Sequence, residues 1–217
     1  MQTLTSQIKQ HLCNAVNYLL HAYYCIRAQH CGFFLVLDHR HQSLFLLQHG
    51  IVFARLPVST AQAGSGETTD SGKTPRGWLR ICAGFGQDCR ASTMFVSRKP
   101  VGHYPAVPMH TDPILARILW LEGVQLHNRN TKERMIYLHG CADHASLGLY
   151  PKSHGCIRLH PQDMIYLFNF WQAAQAQQQP ILLYSHDANN PLPWQSPLED
   201  CFNSLKSLLP IHSCNQI

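Results

Sequence analysis

The sequence has few charged residues, and their distribution argues against one class of function. Only 13% of the 217 residues are charged, no acidic residue precedes Asp38, and the formal net charge is +5. The basic residues are scattered along the chain, and no aromatic-rich RNA-binding motif accompanies them. We therefore predict no nucleic-acid partner, because such partners are bound by clustered basic residues.

Long apolar segments and an export signal are missing as well. No uncharged apolar segment reaches the roughly 18 residues that a membrane-spanning helix requires, so we predict no membrane span. The N-terminus lacks the basic segment of a cleaved signal peptide. The apolar residues that follow it are interrupted by Asn14, Asn17 and His21.

The cysteines do not form a recognisable disulfide framework. There are nine of them, dispersed along the chain without a CxxC pair. An odd, dispersed set favours reduced thiols over structural disulfides. Together with the missing signal peptide, this pattern predicts a cytoplasmic protein. Export to the periplasm or the medium by a non-standard route is the alternative.

Hydrophobic spacing predicts one N-terminal helix followed by many short strands. Over residues 4–28, apolar residues spaced three or four apart indicate an amphipathic helix, namely Leu4, Ile8, Leu12, Ala15, Leu19 and Ala22. Short apolar segments bounded by turn residues predict strands at 33–37, 43–48, 51–59, 78–82, 93–97, 117–121, 135–139 and 180–184. The first three are expected to pair in succession as antiparallel neighbours. The predicted class is mostly β with flanking helices (α+β).

Two further helices are expected towards the C-terminus. Pro161 at a helix start, Asp163 in the first turn and an apolar stripe predict a helix over 161–175. That stripe consists of Met164, Leu167, Phe168 and Trp171. A shorter helix is predicted near 198–209. We divide the chain into an N-terminal helical extension, one central domain and a C-terminal extension with this short helix, with bounds 1–32, 33–185 and 186–217.

The segment Ser153–Leu159 reads Ser-His-Gly-Cys-Ile-Arg-Leu and carries the most specific chemistry in the chain. A cysteine is a useful nucleophile as its thiolate, and a nearby imidazole can generate that form at neutral pH. Gly155 removes side-chain bulk beside Cys156, so a substrate carbonyl could approach closely. Ser153, His154 and Gly155 bring consecutive backbone N–H groups to the place where an oxyanion would form. These features predict an active-site turn.

His139 is a better candidate for the general base than His154. It lies at the end of a predicted strand, where a side chain is held rigidly. The carbonyl of the next residue, Gly140, can orient the imidazole as the third member of a Cys–His arrangement. His154 is so close to Cys156 in sequence that we expect it to shape the turn rather than accept the proton.

Two alternatives remain open on the residues alone. Cys156 can be a buried structural thiol, which is the more common state of a single cysteine, although its polar and basic neighbours fit that state poorly. The same region also offers zinc ligands, which would make the chain a zinc-stabilised binding module. The spacing of these ligands matches none of the common zinc modules; they are His139, Cys141, His144, His154 and Cys156.

Several segments taken together resemble the catalytic domain of the L,D-transpeptidase (YkuD-type) family. Ile136–Gly140 and Ser153–Leu159 match the two catalytic blocks of that family, and Lys73–Gly77 resembles its Thr-Pro-x-Gly turn. The match runs in the family's order from about residue 33 to 185. It also includes Gln42–Leu46, Leu56–Thr60 and Ile118–Gly123 with Asn128. The resemblance implies a β-rich, sandwich-like fold with the nucleophile in a cleft.

The resemblance also implies an activity on peptidoglycan stem peptides, with no cofactor or metal. In the family, a thiolate attacks the carbonyl of the L-centre, typically diaminopimelate, that precedes D-Ala in a tetrapeptide. D-Ala leaves and a thioester forms. Water as acceptor gives L,D-carboxypeptidase activity, and an amine gives a 3→3 cross-link. Because the cysteine pattern favours a cytoplasmic setting, we expect water and a role in trimming muropeptides; an exported cross-linking enzyme is the alternative.

Carried over to this chain, the resemblance assigns the catalytic residues. Cys156 is the nucleophile, His139 is the base, and the Gly140 carbonyl orients the base. The backbone N–H groups of His154, Gly155 and Cys156 are the oxyanion donors. Carbapenem sensitivity is implied as well, because a thiolate can open the lactam ring.

The resemblance assigns substrate binding to two further residues of the same block, Ser153 and Arg158. For Arg158 a second role stays open, because the guanidinium can brace the turn instead of holding a substrate carboxylate. Cys141 follows the catalytic His-Gly pair, where relatives usually carry a small polar residue. It raises the possibility of a Cys141–Cys156 disulfide that would inactivate the enzyme, although a small residue in a turn is the simpler interpretation.

Overall fold

The computed structural model describes residues 4–30, 32–105 and 113–192, which form two helices and ten strands. The predicted mostly β class with flanking helices is confirmed. The helix predicted near 198–209 lies outside the described residues. In chain order the elements are α1 (Leu4–His30), β1 (Phe33–Asp38), β2 (Ser43–Gln48), β3 (Ile51–Ser59), β4 (Gly77–Phe85), β5 (Thr93–Val96), β6 (Lys99–His103), β7 (Ile114–Gly123), β8 (Tyr137–Gly140), β9 (Ile157–Leu159), α2 (Pro161–Ala176) and β10 (Leu182–His186).

Eight of these strands form a sheet that closes on itself. Their order is β4-β10-β1-β2-β3-β9-β8-β7, and β7 pairs back with β4. The remaining two strands, β5 and β6, form a hairpin that continues from β7. A closed sheet can enclose a single core, because its inward-facing side chains meet at the centre.

Two strand pairs are parallel, and one of them builds the region of interest. β1 pairs in parallel with β10, and β8 pairs in parallel with β9. In the second pair, Leu138 lies opposite Ile157 and His139 lies opposite Arg158. The strands β1, β2 and β3 are antiparallel neighbours, as predicted. The parallel β8–β9 pair was not anticipated, and it brings the two sequence blocks side by side.

The main core lies between the sheet and α2. Leucine, isoleucine and valine side chains of the sheet pack there against Met164, Leu167 and Phe168 of α2, as the predicted apolar stripe required. The helix begins where the sequence indicates, with Pro161 in its first turn. The side chain of His160 caps it by accepting a hydrogen bond from the backbone N–H of Gln162. Helix α2 therefore supports the β7–β8 side of the sheet from within.

Helix α1 covers a second apolar cluster on the outer face of the sheet. Trp78 and Tyr184 belong to this cluster, and the ring of His21 lies 5.6 Å from that of Tyr184. Buried Asn17 accepts a hydrogen bond from the N–H of Leu126 at 2.9 Å through its side-chain oxygen. Helix α1 is thus attached to the domain both by hydrogen bonds of Asn17 and by the packing of Ala28 and Tyr24 against the apolar cluster. No helix in the three described segments is long and apolar enough to span a membrane.

Candidate active site

The two sequence blocks meet on one face of the β8–β9 pair. Leu138 of β8 and Ile157 of β9 point into the main core. Side chains alternate between the two faces of a strand, so their neighbours His139 and Cys156 lie on the opposite face. Cys156 packs there beside Tyr137, at the edge of a third apolar cluster. The structure therefore brings the predicted nucleophile and the predicted base to adjacent strands on the same face.

His139 is buried, and its ring is held in one tautomer. Its Nδ1 lies 2.8 Å from the carbonyl oxygen of Gly140. Because a carbonyl can only accept, Nδ1 must donate, which leaves the lone pair of the neutral ring on Nε2. Nε2 is the atom that can take a proton. This is the arrangement that a general base needs.

Gly140 is required here for steric reasons. A Cβ at this position would lie 2.7 Å from the carbonyl oxygen of Leu115 in β7 and 3.2 Å from Cα of Pro161. Any larger residue would push β8 away from β7 or from the start of α2. The carbonyl that orients His139 would then move, so Gly140 contributes through its small size as well as through its carbonyl.

The turn before β9 is fixed by its own hydrogen bonds. Ser153 Oγ donates to the carbonyl of Cys156 at 2.5 Å and accepts from the N–H of Gly155 at 3.2 Å. Gly155 has a φ of +126°, which favours glycine, and a Cβ there would lie 3.0 Å from Ile136. One of the three expected oxyanion donors, the N–H of Gly155, is thus used within the turn. The N–H groups of His154 and Cys156 are the donors that the proposed mechanism below uses.

Thr74 holds this turn from the opposite side of the cleft. Its hydroxyl accepts from the N–H of Ala61 at 3.0 Å and donates to the carbonyl of Gly155 at 2.9 Å. That carbonyl belongs to the same planar peptide unit as the N–H of Cys156, and the two groups point in opposite directions. Thr74 therefore sets the direction of a proposed oxyanion donor, and it lies in the Thr-Pro-x-Gly segment that the sequence singled out.

We expect Thr74→Val to lower the free energy of unfolding by roughly 2–4 kcal/mol, because two buried backbone groups lose their partner. It should also lower kcat about 10- to 100-fold with little change in KM, less than the loss of an entire oxyanion donor. Urea unfolding and steady-state kinetics measure the two effects. Thr74→Ser keeps the hydroxyl and should restore both. If Thr74→Val loses stability but keeps full kcat, Thr74 has no positioning role.

The thiol of Cys156 is protonated at neutral pH. Burial raises its pKa to about 11, while a backbone hydrogen bond from Tyr137 acts in the opposite direction and is the smaller of the two. The thiol donates to the carbonyl of Met135 at 3.5 Å. A thiol with such a pKa is a poor nucleophile by itself, so attack requires removal of its proton by a base.

Arg158 braces the loop between the two catalytic blocks. Its guanidinium is buried and contacts the carboxylate of Asp143 at 3.1 Å and the hydroxyl of Ser146 at 3.3 Å. Lys152 also binds that carboxylate, at 2.6 Å. These two cations lower the pKa of Asp143, with the Lys152 hydrogen bond as the largest contribution. Of the two roles open for Arg158, these contacts match the structural brace.

Neither the disulfide nor the zinc site considered from the sequence matches this geometry. Cys141 and Cys156 are both reduced. Leu138 lies opposite Ile157, so Cys156 is level with Tyr137, four residues before Cys141, which separates the two cysteines by roughly 13 Å along the strands. A disulfide requires Cα atoms within about 7 Å, so β9 would have to leave the sheet.

The zinc alternative is contradicted by the arrangement of its five candidate ligands. Within the part of the chain that the structure describes, which includes all five, no group of three or more His, Cys, Asp or Glu side chains is placed to hold a metal ion. Nδ1 of His139 and Nε2 of His144 are each hydrogen-bonded to a backbone carbonyl instead. The five residues are therefore not assembled into a zinc site in the described structure.

With this geometry in place, the comparison with protein families is decisive. A family model described as the L,D-transpeptidase catalytic domain (YkuD) matches residues 32–181 of the chain. The chain belongs to the L,D-transpeptidase (YkuD) family. The resemblance drawn from the sequence is confirmed, and the match contains Thr74, both catalytic blocks and the whole of α2.

Solved structures of the family are similar to this chain at low identity. An L,D-transpeptidase from Mycobacterium smegmatis is 14% identical with a TM-score of 0.46, over 72% of this chain and 59% of that one. An L,D-transpeptidase from Xylanimonas cellulosilytica is 18% identical with a TM-score of 0.46, over 72% of this chain and 61% of that one. The chain therefore spans about three fifths of their length. No curated protein matches it.

One residue beside the site of this L,D-transpeptidase domain was missed from the sequence. Arg98 lies in the two-residue turn of the β5–β6 hairpin, and both Ser97 and Arg98 have positive φ, 47° and 64°. Its guanidinium lies 4.5 Å from the ring centre of Trp120 and donates to the hydroxyl of Tyr137 at 2.9 Å. Tyr137 lies on the same strand and face as His139. No sequence motif marks Arg98, because its position depends on the turn geometry.

Proposed function

We propose that this protein is a cysteine-dependent enzyme that cleaves the bond between the L-centre of diaminopimelate and D-Ala in peptidoglycan tetrapeptides. The single observation that supports it best is the orientation of His139. Its Nδ1 is bonded to the Gly140 carbonyl, so Nε2 is the basic nitrogen of the ring, and His139 lies on the face of the sheet that also carries Cys156. Membership of the L,D-transpeptidase family supplies the substrate class.

The proposed acylation follows from these positions. Nε2 of His139 takes the proton from Cys156 as Sγ bonds to the peptide carbonyl carbon, and the carbonyl oxygen becomes an oxyanion. The N–H groups of His154 and Cys156 stabilise that charge. When the tetrahedral intermediate collapses, the C–N bond to D-Ala breaks, and the departing amine takes the proton from the imidazolium. A thioester on Cys156 and free D-Ala result.

We propose water as the acceptor of the acyl group. His139 then removes a proton from the water, and the water oxygen attacks the thioester carbonyl carbon. The C–S bond breaks, and the departing thiolate of Cys156 takes the proton back from the imidazolium. The product is a tripeptide with a free carboxylate. The nine dispersed cysteines without a CxxC pair support a reducing, cytoplasmic site of action. In that setting the substrate is a soluble muropeptide, and the reaction trims it.

The test uses the full chain and a defined disaccharide tetrapeptide, with products identified by mass. We expect a disaccharide tripeptide and free D-Ala in equal amounts. A cross-linked dimer formed with release of D-Ala would agree with acylation of Cys156 but would show that an amine, and not water, is the acceptor. A tetrapeptide that remains intact, with or without an added amine acceptor, overturns the proposed function.

We further propose that Arg98 binds the carboxylate of the departing D-Ala. The guanidinium contacts Met135 through its sulfur at 3.3 Å, and the thiol of Cys156 contacts the carbonyl of the same residue at 3.5 Å. A cation is thus held beside the nucleophile. An arginine at positive φ is unfavourable for the backbone, and such strain concentrates at functional sites. Stacking on Trp120 keeps the guanidinium in place before substrate arrives.

We expect Arg98→Met to lower kcat/KM about 10- to 100-fold, mainly through KM, because a hydrogen bond to a charged group contributes about 1.5–3 kcal/mol. Lys99→Met removes a neighbouring charge in the same hairpin and should leave kcat/KM unchanged. A tetrapeptide amidated at its C-terminus should be a poor substrate for the wild type, and Arg98→Met should not discriminate against it. If Arg98→Met still discriminates against the amide, Arg98 does not bind that carboxylate.

A further inference from the structure

Helix α1 has two opposite faces, and the face that contacts the domain combines polar Asn17 and His21 with Ala28 and Tyr24, which pack against the Trp78 cluster. Asn17, His21 and Ala28 are its buried residues. Gln125 donates to the backbone carbonyl of Asn17 at 3.2 Å, in addition to the bond from Leu126. Neutral His21 fits this contact, because burial lowers its pKa to about 4. A helix at the surface of a globular protein normally buries its apolar face and exposes the polar one. Here α1 buries two polar residues, Asn17 and His21, and leaves most of its large aliphatic side chains exposed.

The face of α1 that points away from the domain is apolar and exposed. At about 100° per residue its six large side chains fall within a sector of about 80°. They are between 41% and 66% exposed. We call this set the outer stripe; it consists of Ile8, Leu12, Val16, Leu19, Tyr23 and Ile26.

The spacing of the outer stripe is that of a helix that pairs with another helix. From Leu12 to Ile26 the steps alternate between four and three residues. This is the heptad spacing of coiled coils, in which apolar residues recur every 3.5 residues on average. The spacing places Leu12, Leu19 and Ile26 at d positions and Val16 and Tyr23 at a positions. Leucine at d with a β-branched residue at a favours two-stranded pairing.

The charges on α1 favour a second copy of the same helix over other occupants. Lys9 and Arg27 are the only Lys, Arg, Asp or Glu residues in α1, and they lie near opposite ends. Two basic residues provide little attraction to an anionic lipid surface, where each contributes about 1 kcal/mol. The positions that flank the stripe carry Ala15 and Ala22 on one side and Lys9, Leu20 and Arg27 on the other. Because the two basic residues lie near opposite ends of one flank, like charges meet at few points when two copies of α1 pair.

The area of the outer stripe is sufficient for a dimer. Six large side chains that are about half exposed present roughly 600 Å² of apolar surface per copy, so a symmetric pair would bury on the order of 1,200 Å², the lower end of specific interfaces. We propose that two copies of this chain associate through their outer stripes, α1 against α1, around a twofold axis. The catalytic face on β8 and β9 stays outside this interface. The proposal is independent of the proposed function.

Sedimentation velocity of the full chain over a wide range of concentration tests the dimer. We expect the wild type to reach twice the monomer mass and Leu19→Glu, at the centre of the outer stripe, to remain monomeric throughout. The matched control is Tyr18→Glu, which places the same charge on the neighbouring residue of the same helix. Tyr18 is 51% exposed but lies off the stripe, so this variant should still dimerise. Circular dichroism verifies that both variants keep their helix content.

Three results would overturn the proposal. The first is a wild type that stays monomeric at every concentration. If that monomer sediments with vesicles of anionic lipid, the outer stripe serves a membrane surface instead. If it dimerises only after residues 193–217 are deleted, the C-terminal segment of the same chain occupies the stripe. The second is a Leu19→Glu variant that still dimerises. The third is equal loss of dimer in Tyr18→Glu, which would attribute the effect to charge alone.

Discussion

Cys156→Ala should release D-Ala from the disaccharide tetrapeptide at least about 10⁴-fold more slowly than the wild type, because no other group can form the acyl intermediate. Cys156→Ser should be nearly as slow. A serine hydroxyl is less acidic than a thiol and is a weaker nucleophile with the same base. The readout is the initial rate of D-Ala release at saturating tetrapeptide.

The matched control for this loss is Cys89→Ala. Cys89 is a reduced, half-buried cysteine that packs against the same apolar cluster as Cys156. Its replacement removes a thiol of similar surroundings and should leave the rate of D-Ala release unchanged. Near wild-type activity in Cys156→Ala would contradict the nucleophile assignment, whatever the effect of Cys89→Ala.

A carbapenem provides an independent readout of the same thiol. Opening of the lactam ring by a thiolate leaves the whole molecule attached, so the intact mass of the protein rises by the mass of the drug. We expect this increase in the wild type and in Cys89→Ala, and none in Cys156→Ala. Labelling of Cys156→Ala would show that another nucleophile reacts.

His139→Gln is expected to lower kcat by about 10²- to 10⁴-fold near neutral pH, the usual contribution of a general base. The loss should shrink as the pH rises. Because the pKa of Cys156 is raised to about 11, the thiolate fraction without a base increases about tenfold for each pH unit below that value. The rate of the variant should therefore climb with a slope near one, whereas the wild type should not show this dependence.

His144→Gln is the control for the loss of an imidazole in the same region. Its Nε2 is bonded to the carbonyl of Cys141, and its ring is tilted by 55° against that of His160, with ring centres 4.3 Å apart. It carries no role in the mechanism, so its replacement should leave kcat and the pH profile as in the wild type. If His144→Gln loses as much activity as His139→Gln, or if the latter keeps its activity, His139 is not the base.

The parts of the site that were predictable from the sequence are those with local signals. Cys156, Gly155 and His154 lie within one short segment. A glycine beside a cysteine indicates that a substrate carbonyl can approach the thiol closely. Helix α2 was predictable for the same reason, since Pro161, Asp163 and the apolar residues that begin with Met164 lie within a few turns of one another. Most strands were recognisable because each is a short apolar segment bounded by turn residues.

The parts that were missed depend on contacts between distant segments. β9 has three residues, too few for a strand pattern, and exists because β8 and β3 pair with it. β6 consists of exposed residues and carries no apolar alternation. The role of Arg158 required knowing that Asp143 lies beside it. Arg98 reaches the site through a hairpin turn whose two central residues have positive φ. The local sequence Ser97-Arg98 carries no glycine or asparagine that would indicate such a turn.

Helix α1 shows a different limit of sequence patterns. The spacing of Ile8, Leu12 and Leu19 predicted an amphipathic helix, and α1 spans Leu4–His30 as expected. The pattern does not say which face meets the domain. That face is chosen by Asn17, whose side chain and backbone both bond to the segment after β7, and by His21 against Tyr184. Hydrogen bonds of Asn17 and the packing of Ala28 and Tyr24 against the Trp78 cluster together orient the helix.

The parallel pairing of β1 with β10 has a consequence for how fast this chain folds. Phe34 pairs directly with Leu182, and almost the whole described chain lies between them. Such pairing is slow, because the entropy of closing a long loop is lost before any contact compensates for it. β1 and β4 each keep an unpaired edge until β10 inserts between them. We therefore expect the pairing of this five-residue strand to be a slow event in folding, and any state that forms before it to expose strand edges that favour aggregation.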